Sequence, residues 1–271
     1  MLFVIAEGYL PMPLPTLTDW EPTRDALHQA ALVISAIKKL GVQRDEHFFH
    51  HLAMQANPHG LTSGITTFGV FSLDFTAQAV SYQPSSGQKN RIPLAGHNQK
   101  TLLDALLRTV RESGFTVEVD RSQLNQQTPF DINPEWASGY AHILFTMVTA
   151  LNQARVSLPP QSTNVVVFPH HFDASFLWFN GEAKSEQQPH VNFGFSPGDS
   201  TINRPYFYAY AWGGKAYLNI PVDPPLMHDH RFKAGVMIPY DEVIRDSSDP
   251  IGVITGAVSA IRAAVESQLW G

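Results

Sequence analysis

An α+β fold, mainly antiparallel sheet covered by about four helices, is what this 271-residue sequence predicts. Three observations predict it. Four stretches carry apolar residues at spacings of three and four, opened by an Asn or Asp cap or closed by a glycine. Between those stretches the apolar period changes to two, the mark of half-buried strands. Several period-two stretches lie closer together than a crossover helix would allow, so hairpins and antiparallel pairing follow.

Residues 1–19 read as an extended arm, in which Pro11, Pro13 and Pro15 favour polyproline II. The arm lacks a basic opening and carries Glu7 early, so it does not read as a secretory signal, and a cytoplasmic location is the default expectation. Residues 20–271 read as a single α+β domain. The first helix spans about Trp20 to Leu40, with Leu27, Ala31, Ile34 and Ile37 on one stripe and Gly41 as its stop. His47–Ala56 and Val70–Tyr82 read as strands joined by the turn Asn57-Pro58-His59-Gly60. Asn98 caps a second helix that carries Leu102, Leu103, Leu106, Leu107 and Val110 and stops at Gly114. Phe115–Val119 reads as a strand. Asn133 and Pro134 open a third helix that runs to about Arg155, since proline at the first helical position loses no hydrogen bond. Val165–Phe168, Ala174–Phe179, His190–Phe195, Tyr206–Trp212 and Val236–Ile238 follow as strands. Asp249 and Pro250 open the last helix, whose stripe holds Ile251, Ile254, Val258, Ile261 and Val265. Pro84–Asn90, Glu182–Pro189 and Pro221–His230 read as loops. The order helix, strands, helix occurs twice, as a pseudo-duplication with halves 20–130 and 131–271 would produce.

Composition narrows the function classes. Only 15 % of residues are charged, which leaves 44 % hydrophobic residues to fill a sizeable core. The net charge of −6 argues against a nucleic-acid partner, whose phosphates demand a basic footprint. No apolar run approaches the roughly 20 residues that span a bilayer, so a membrane partner is not expected either. The chain has no cysteine, which removes disulfides, thiolate nucleophiles and zinc–thiolate sites together. Oligomeric state and cofactor are left open by the sequence.

Histidine is the residue type that points to a site: there are twelve, and they cluster. Asp45-Glu46-His47-Phe48-Phe49-His50-His51 is the first cluster, His170-His171-Phe172-Asp173 the second and His228-Asp229-His230 the third, with His59 and His190 alone. Imidazole is a common metal ligand and titrates near neutral pH, so His170, His171, Asp173 and His190 are candidate metal ligands or acid–base groups. Histidine clusters are more often cap, backbone-bonded or exposed residues, and the first cluster lacks the spacing of a metalloprotease helix. Gly194-Phe195-Ser196-Pro197-Gly198 fits the pattern of a hydrolase nucleophile elbow. That elbow needs a helix immediately afterwards, and a polar loop follows here, so Ser196 is not read as a nucleophile. Aromatic residues crowd the stretch from Phe168 to Trp212, and Tyr206, Tyr208 and Tyr210 line one face of a period-two strand. Phenols in such a row suit the rim of a pocket, and equally suit a sheet face under a helix.

Several of these segments, taken in order, resemble a known family. His47-Phe48-Phe49-His50 with Gly60-Leu61-Thr62 downstream, Phe172-Asp173 leading to Phe179-Asn180-Gly181, Gly194-Phe195 with Pro197-Gly198, and Pro205-Tyr206-Phe207-Tyr208-Ala209-Tyr210 are similar to the bacterial family of unknown function DUF5996. The similarity runs from about Trp20 to Trp270. The family has no assigned activity, so the resemblance implies no catalytic residues. Its members more often carry an aromatic where Ser196 stands, and their pattern near His170 and His171 differs, whereas His47 and His50 fit it.

The leading expectation is a small polar molecule bound in a cleft lined by His47, His50, His170, His171, Asp173, His190 and Tyr208. A hydrolase with a His/Asp-bound divalent metal is the alternative, and a structural or interaction module that uses the aromatic strand 206–212 is a third reading. Whether the protein is an enzyme is left open.

Overall fold

The computed structural model describes residues 13–85, 87–159, 161–182, 184–213, 222–232, 235–245 and 248–268. Helix α1 (Glu21–Lys38) forms where Leu27, Ala30, Ala31, Ile34 and Ile37 recur at helical spacing, and all five are fully buried. An antiparallel meander follows: β1 (Gln55–Asn57), β2 (Gly60–Thr66), β3 (Gly69–Asp74), β4 (Ala79–Gln83) and β5 (Asn90–Pro93), hydrogen-bonded in that order. Helix α2 (Gln99–Glu112) closes this half, its first turn held by a reciprocal capping box between Asn98 and Thr101. Helix α3 (Pro134–Ser157) starts at Asn133, whose side chain accepts from the amides of Glu135 and Trp136. The second half then builds β6 (Val166–Phe168), β7 (Asp173–Phe179), β8 (His190–Ser196), β9 (Tyr206–Trp212), β10 (Met227–His228) and β11 (Gly235–Pro239). These form a six-stranded antiparallel sheet in the order β10-β11-β9-β8-β7-β6. Short α4 (Tyr240–Arg245) and long α5 (Pro250–Gln268) complete the chain.

The fold is therefore α+β, with two antiparallel sheets and five helices among the described residues. Helix–strands–helix recurs in both halves, although one sheet has five strands and the other six. Helix α3 touches both sheets and packs on α5, so one continuous set of buried apolar side chains runs from Leu17 to Val265. The sheets also meet edge to edge, where Met54 and Val167 exchange both backbone hydrogen bonds at 2.7 and 2.8 Å. Pro11 lies outside the described residues. Beyond it the arm is pinned: Leu17 is fully buried, and Tyr240 Oη donates to the Pro15 carbonyl at 2.7 Å. Among the described residues no helix is long and apolar enough to cross a membrane.

Four expectations need correction. His47–Ala56 is a series of turns with only Gln55–Asn57 as strand. The cause is Asp45, whose carboxylate accepts from the amides of His47, Phe48 and His50 and so winds the segment. Val70–Tyr82 is two strands, because Asp74 accepts from Ala77 N at 2.8 Å and Gln78 adopts a left-handed φ of 47°. The turn at residues 57–60 accordingly joins β1 to β2, and β2 had not been anticipated. Phe115–Val119 is not in a ladder, although Phe115, Val117 and Val119 do pack on the core at alternate positions. The short strands β5 and β10 fall beside or within segments read as loops, and short α4 follows a strand with no helix expected there.

Candidate functional site

The two faces of the six-stranded sheet are unlike. Ala174, Phe176 and Trp178 alternate with Asp173, Ser175 and Leu177 on β7, and the alternation repeats on β8 and β9. The apolar set joins the core. The other set faces a cleft of about 720 Å³ lined by Asp173 and Ser175 of β7, Asn192 and Ser196 of β8, and Tyr206, Tyr208 and Tyr210 of β9.

The register explains how the centre of this floor is built. Gly194 stands opposite Ser175 on one side and Tyr208 on the other. A Cβ on Gly194 would lie 2.3 Å from Tyr208 Cζ, so the tyrosine ring occupies the space that any other residue would fill. Lying across β8, Tyr208 donates its hydroxyl proton to Asp173 Oδ2 on β7. Asp173 is only 9 % exposed, and its Oδ1 has no hydrogen-bond partner among the described residues. Burial raises the Asp173 pKa, a shift that the Tyr208 hydrogen bond and nearby His171 only partly oppose. Burial, followed by the Asp173 charge, likewise holds the Tyr208 phenol well above its usual value. Beside them Asn192 donates to Tyr210 Oη at 2.9 Å, and Asn192 Oδ1 has no partner among the described residues.

One wall is the turn segment before β1. Ser35 Oγ donates to the Leu52 carbonyl at 2.8 Å, and Lys38 Nζ donates to the carbonyls of His50 and Ala53. Desolvation lowers the Lys38 pKa to about 8. The end of α1 thus holds Phe48, Phe49 and His50 over the cleft. Desolvation also lowers the His50 pKa, although Asp45 lies 3.6 Å away and opposes the shift.

The tight turn from β6 to β7 forms a second wall. Both His171 N and Phe172 N donate to the Phe168 carbonyl, at 3.2 and 2.8 Å. Phe172 has a left-handed φ of 58°, an uncommon conformation for a bulky residue. It drives the ring into the core against Tyr140, Phe75 and His28, at centroid distances of 5.8, 6.1 and 5.4 Å. His170 and His171 are left at the exposed apex with ring centroids 4.2 Å apart. Desolvation and then His171 hold the His170 pKa below the usual imidazole range.

Arg231 and Phe232 close the opposite side. Asp229 accepts from Arg231 Nε and Nη2 at 2.9 and 2.7 Å, and Tyr206 Oη accepts from Nη1 at 2.8 Å. Phe232 stacks on Tyr210 with centroids 4.3 Å apart.

A family model described as "Family of unknown function (DUF5996)" matches residues 12–271. The chain belongs to that family. No curated protein and no solved structure matches it.

In this DUF5996 chain, His50, His170, His171, Asp173 and Tyr208 all line the cleft. His47 does not: it is exposed on the Asp45 turn, where its carbonyl accepts from Glu186 N at 3.1 Å. His190 is buried at the far end of β8, with Nδ1 on the Gln188 carbonyl at 2.8 Å and its ring between Phe179 and Trp212. Of the metal candidates, His170, His171 and Asp173 share the cleft and His190 stands apart from it. Among the described residues no three His, Asp or Glu side chains come together to hold a metal ion. Ser196 accepts from Gly198 N at 3.1 Å, and the residues after it form a loop rather than a helix. The sequence reading missed Asn192, Glu186, Asp199 and Arg231. Asn192 carried a signal, a polar residue between Val191 and Phe193 in a strand; the other three carried none.

Proposed function

We propose that this DUF5996 chain binds a small polar molecule in the cleft over β7, β8 and β9. Asp173 carries the reading. A carboxyl group with so little exposure and an unpartnered oxygen lacks the partners that buried polar groups normally have. A ligand that donates a hydrogen bond supplies the missing one. The cleft volume of about 720 Å³ falls in the usual range for small-molecule sites, and aromatic walls with a few polar groups are their usual lining.

The other two readings have weaker support. A metal-dependent hydrolase needs at least three converging ligands, and the described donors do not converge so. A docking role for strand 206–212 needs a free face, yet β9 is paired on both edges and Tyr206 and Tyr208 are buried.

A thermal-shift screen against a metabolite library tests the proposal. A ligand present at about 100 times its dissociation constant stabilises the fold by about 2.7 kcal/mol. At least one chemical class is expected to raise the melting temperature, and Tyr208→Phe to diminish that rise. A library that leaves the melting temperature unmoved overturns the reading.

A further inference from the structure

We propose that the molecule this cleft accepts is an organic cation, an amine whose ammonium group is held by Asp173 among the aromatic rings of β9 and the rim. The inference rests on the cleft being a binding site and names the class of its ligand. A buried carboxylate that accepts a single hydrogen bond needs either a proton or a counter-charge. Among the described groups around Asp173, His171 opposes the rise in its pKa only in part. Arg231 is the one Arg or Lys among the described lining residues, and Asp229 and Tyr206 already occupy it. His50 and His170 have lowered pKa values and are therefore neutral at neutral pH.

The surroundings favour positive charge in two further respects. Glu186 and Asp199 join Asp173 in the lining, and although Asp199 lies 3.6 Å from Arg231 Nη1, carboxylates outnumber the single guanidinium among the described residues. Tyr206, Tyr208, Tyr210, Phe232 and Phe48 line the cleft, the Arg231 guanidinium already lies over the Tyr206 and Phe232 rings at 4.7 and 5.7 Å, and such rings attract a cation most strongly where water is excluded. An anion would meet carboxylates, and a neutral polyol would offer Asp173 no counter-charge.

Titration calorimetry on the full-length protein with choline and with dimethylbutanol, its neutral carbon isostere, isolates the charge. Butylamine against butanol makes the same comparison for a primary amine. At least one ammonium compound is expected to bind about tenfold or more tightly than its isostere, a difference of about 1.4 kcal/mol. Asp173→Asn is expected to abolish that preference while it melts cooperatively. Should the variant fail to fold, the ratio of cation to isostere on the unaltered protein decides alone. Equal binding of both members of both pairs, or no binding by either ammonium compound, overturns the cation proposal. In that event sugars or carboxylates that shift the melting temperature would leave the cleft as a binding site for another class. No hit in either experiment removes both.

Discussion

The five-stranded and six-stranded sheets follow the same antiparallel rules and put their second faces to different uses. Along β3 the pattern is strictly alternate: Gly69, Phe71 and Leu73 are buried, and Val70, Ser72 and Asp74 are partly exposed. Polar side chains on that sheet keep contact with water or find local partners, as Asp74 does with Ala77. On β7 nearly every residue is buried, and Asp173 and Ser175 are buried along with Ala174, Phe176 and Trp178. Sheets with one wet face read as clean alternation, and both sequences alternate. The difference lies in what covers the second face. Turns and loops around Phe48, His170 and Arg231 roof the six-stranded sheet without filling the space beneath, and incompletely partnered polar groups remain there.

The largest expected effect sharpens this contrast from the side of the five-stranded sheet. Phe71 is fully buried and stacks on Tyr82 with centroids 4.8 Å apart. Phe71→Ala is expected to destabilise the fold by about 3–5 kcal/mol, measured by chemical denaturation. Any ligand found for the cleft should retain its affinity, because Phe71 does not line it.

A pair of glycines provides the next comparison. Gly64 on β2 sits at a register shift with φ 69° and nothing within 4 Å of a Cβ, so Gly64→Ala costs only backbone strain, about 1 kcal/mol. Gly194 faces the opposite constraint, because an added methyl collides with the Tyr208 ring. Gly194→Ala is expected to swing that ring away, break the bond to Asp173 and cost about 1–3 kcal/mol. Denaturation curves read the stability of both variants. Titration with a cleft ligand separates them, since affinity should fall for Gly194→Ala and hold for Gly64→Ala.

These residues also mark how far the sequence was legible. Asn98, Asn133 with Pro134, and Asp249 with Pro250 each act within a few residues, so the helix starts can be read locally. Strands β7, β8 and β9 show as period-two runs, and Asp173 and Tyr208 stand out within them as candidate site residues. Their pairing could not be seen, because it depends on β8 lying between β7 and β9 and on a glycine at the crossing point. The turns after Asp45 were misread for a local reason: one carboxylate that collects several backbone amides overrides an apolar pattern that suited a strand. Arg231 reaches the cleft from a loop whose course no periodicity encodes.

The smallest effect concerns the roof itself and is read through pH. Lys38 is buried beneath the turn segment that carries His50, and burial lowers its pKa to about 8, against 10.5 for the unperturbed group. Below pH 8 both the folded and unfolded chains are protonated at this residue, so it contributes no slope. Between about pH 8 and 10 the unfolded chain binds the proton more fully, and stability therefore rises with pH, by up to about 1 kcal/mol per unit. Above about pH 10 the raised pKa values of Tyr82 and Tyr208 act in the opposite sense, because the unfolded chain then loses phenol protons that the fold retains. Melting temperatures recorded across this range should rise to a maximum near pH 10 and then fall. Lys38→Met should flatten the rising limb and leave the falling one. An unaltered rising limb in that variant would mean that Lys38 keeps its ordinary pKa beneath the turn segment and that another group sets the slope between about pH 8 and 10.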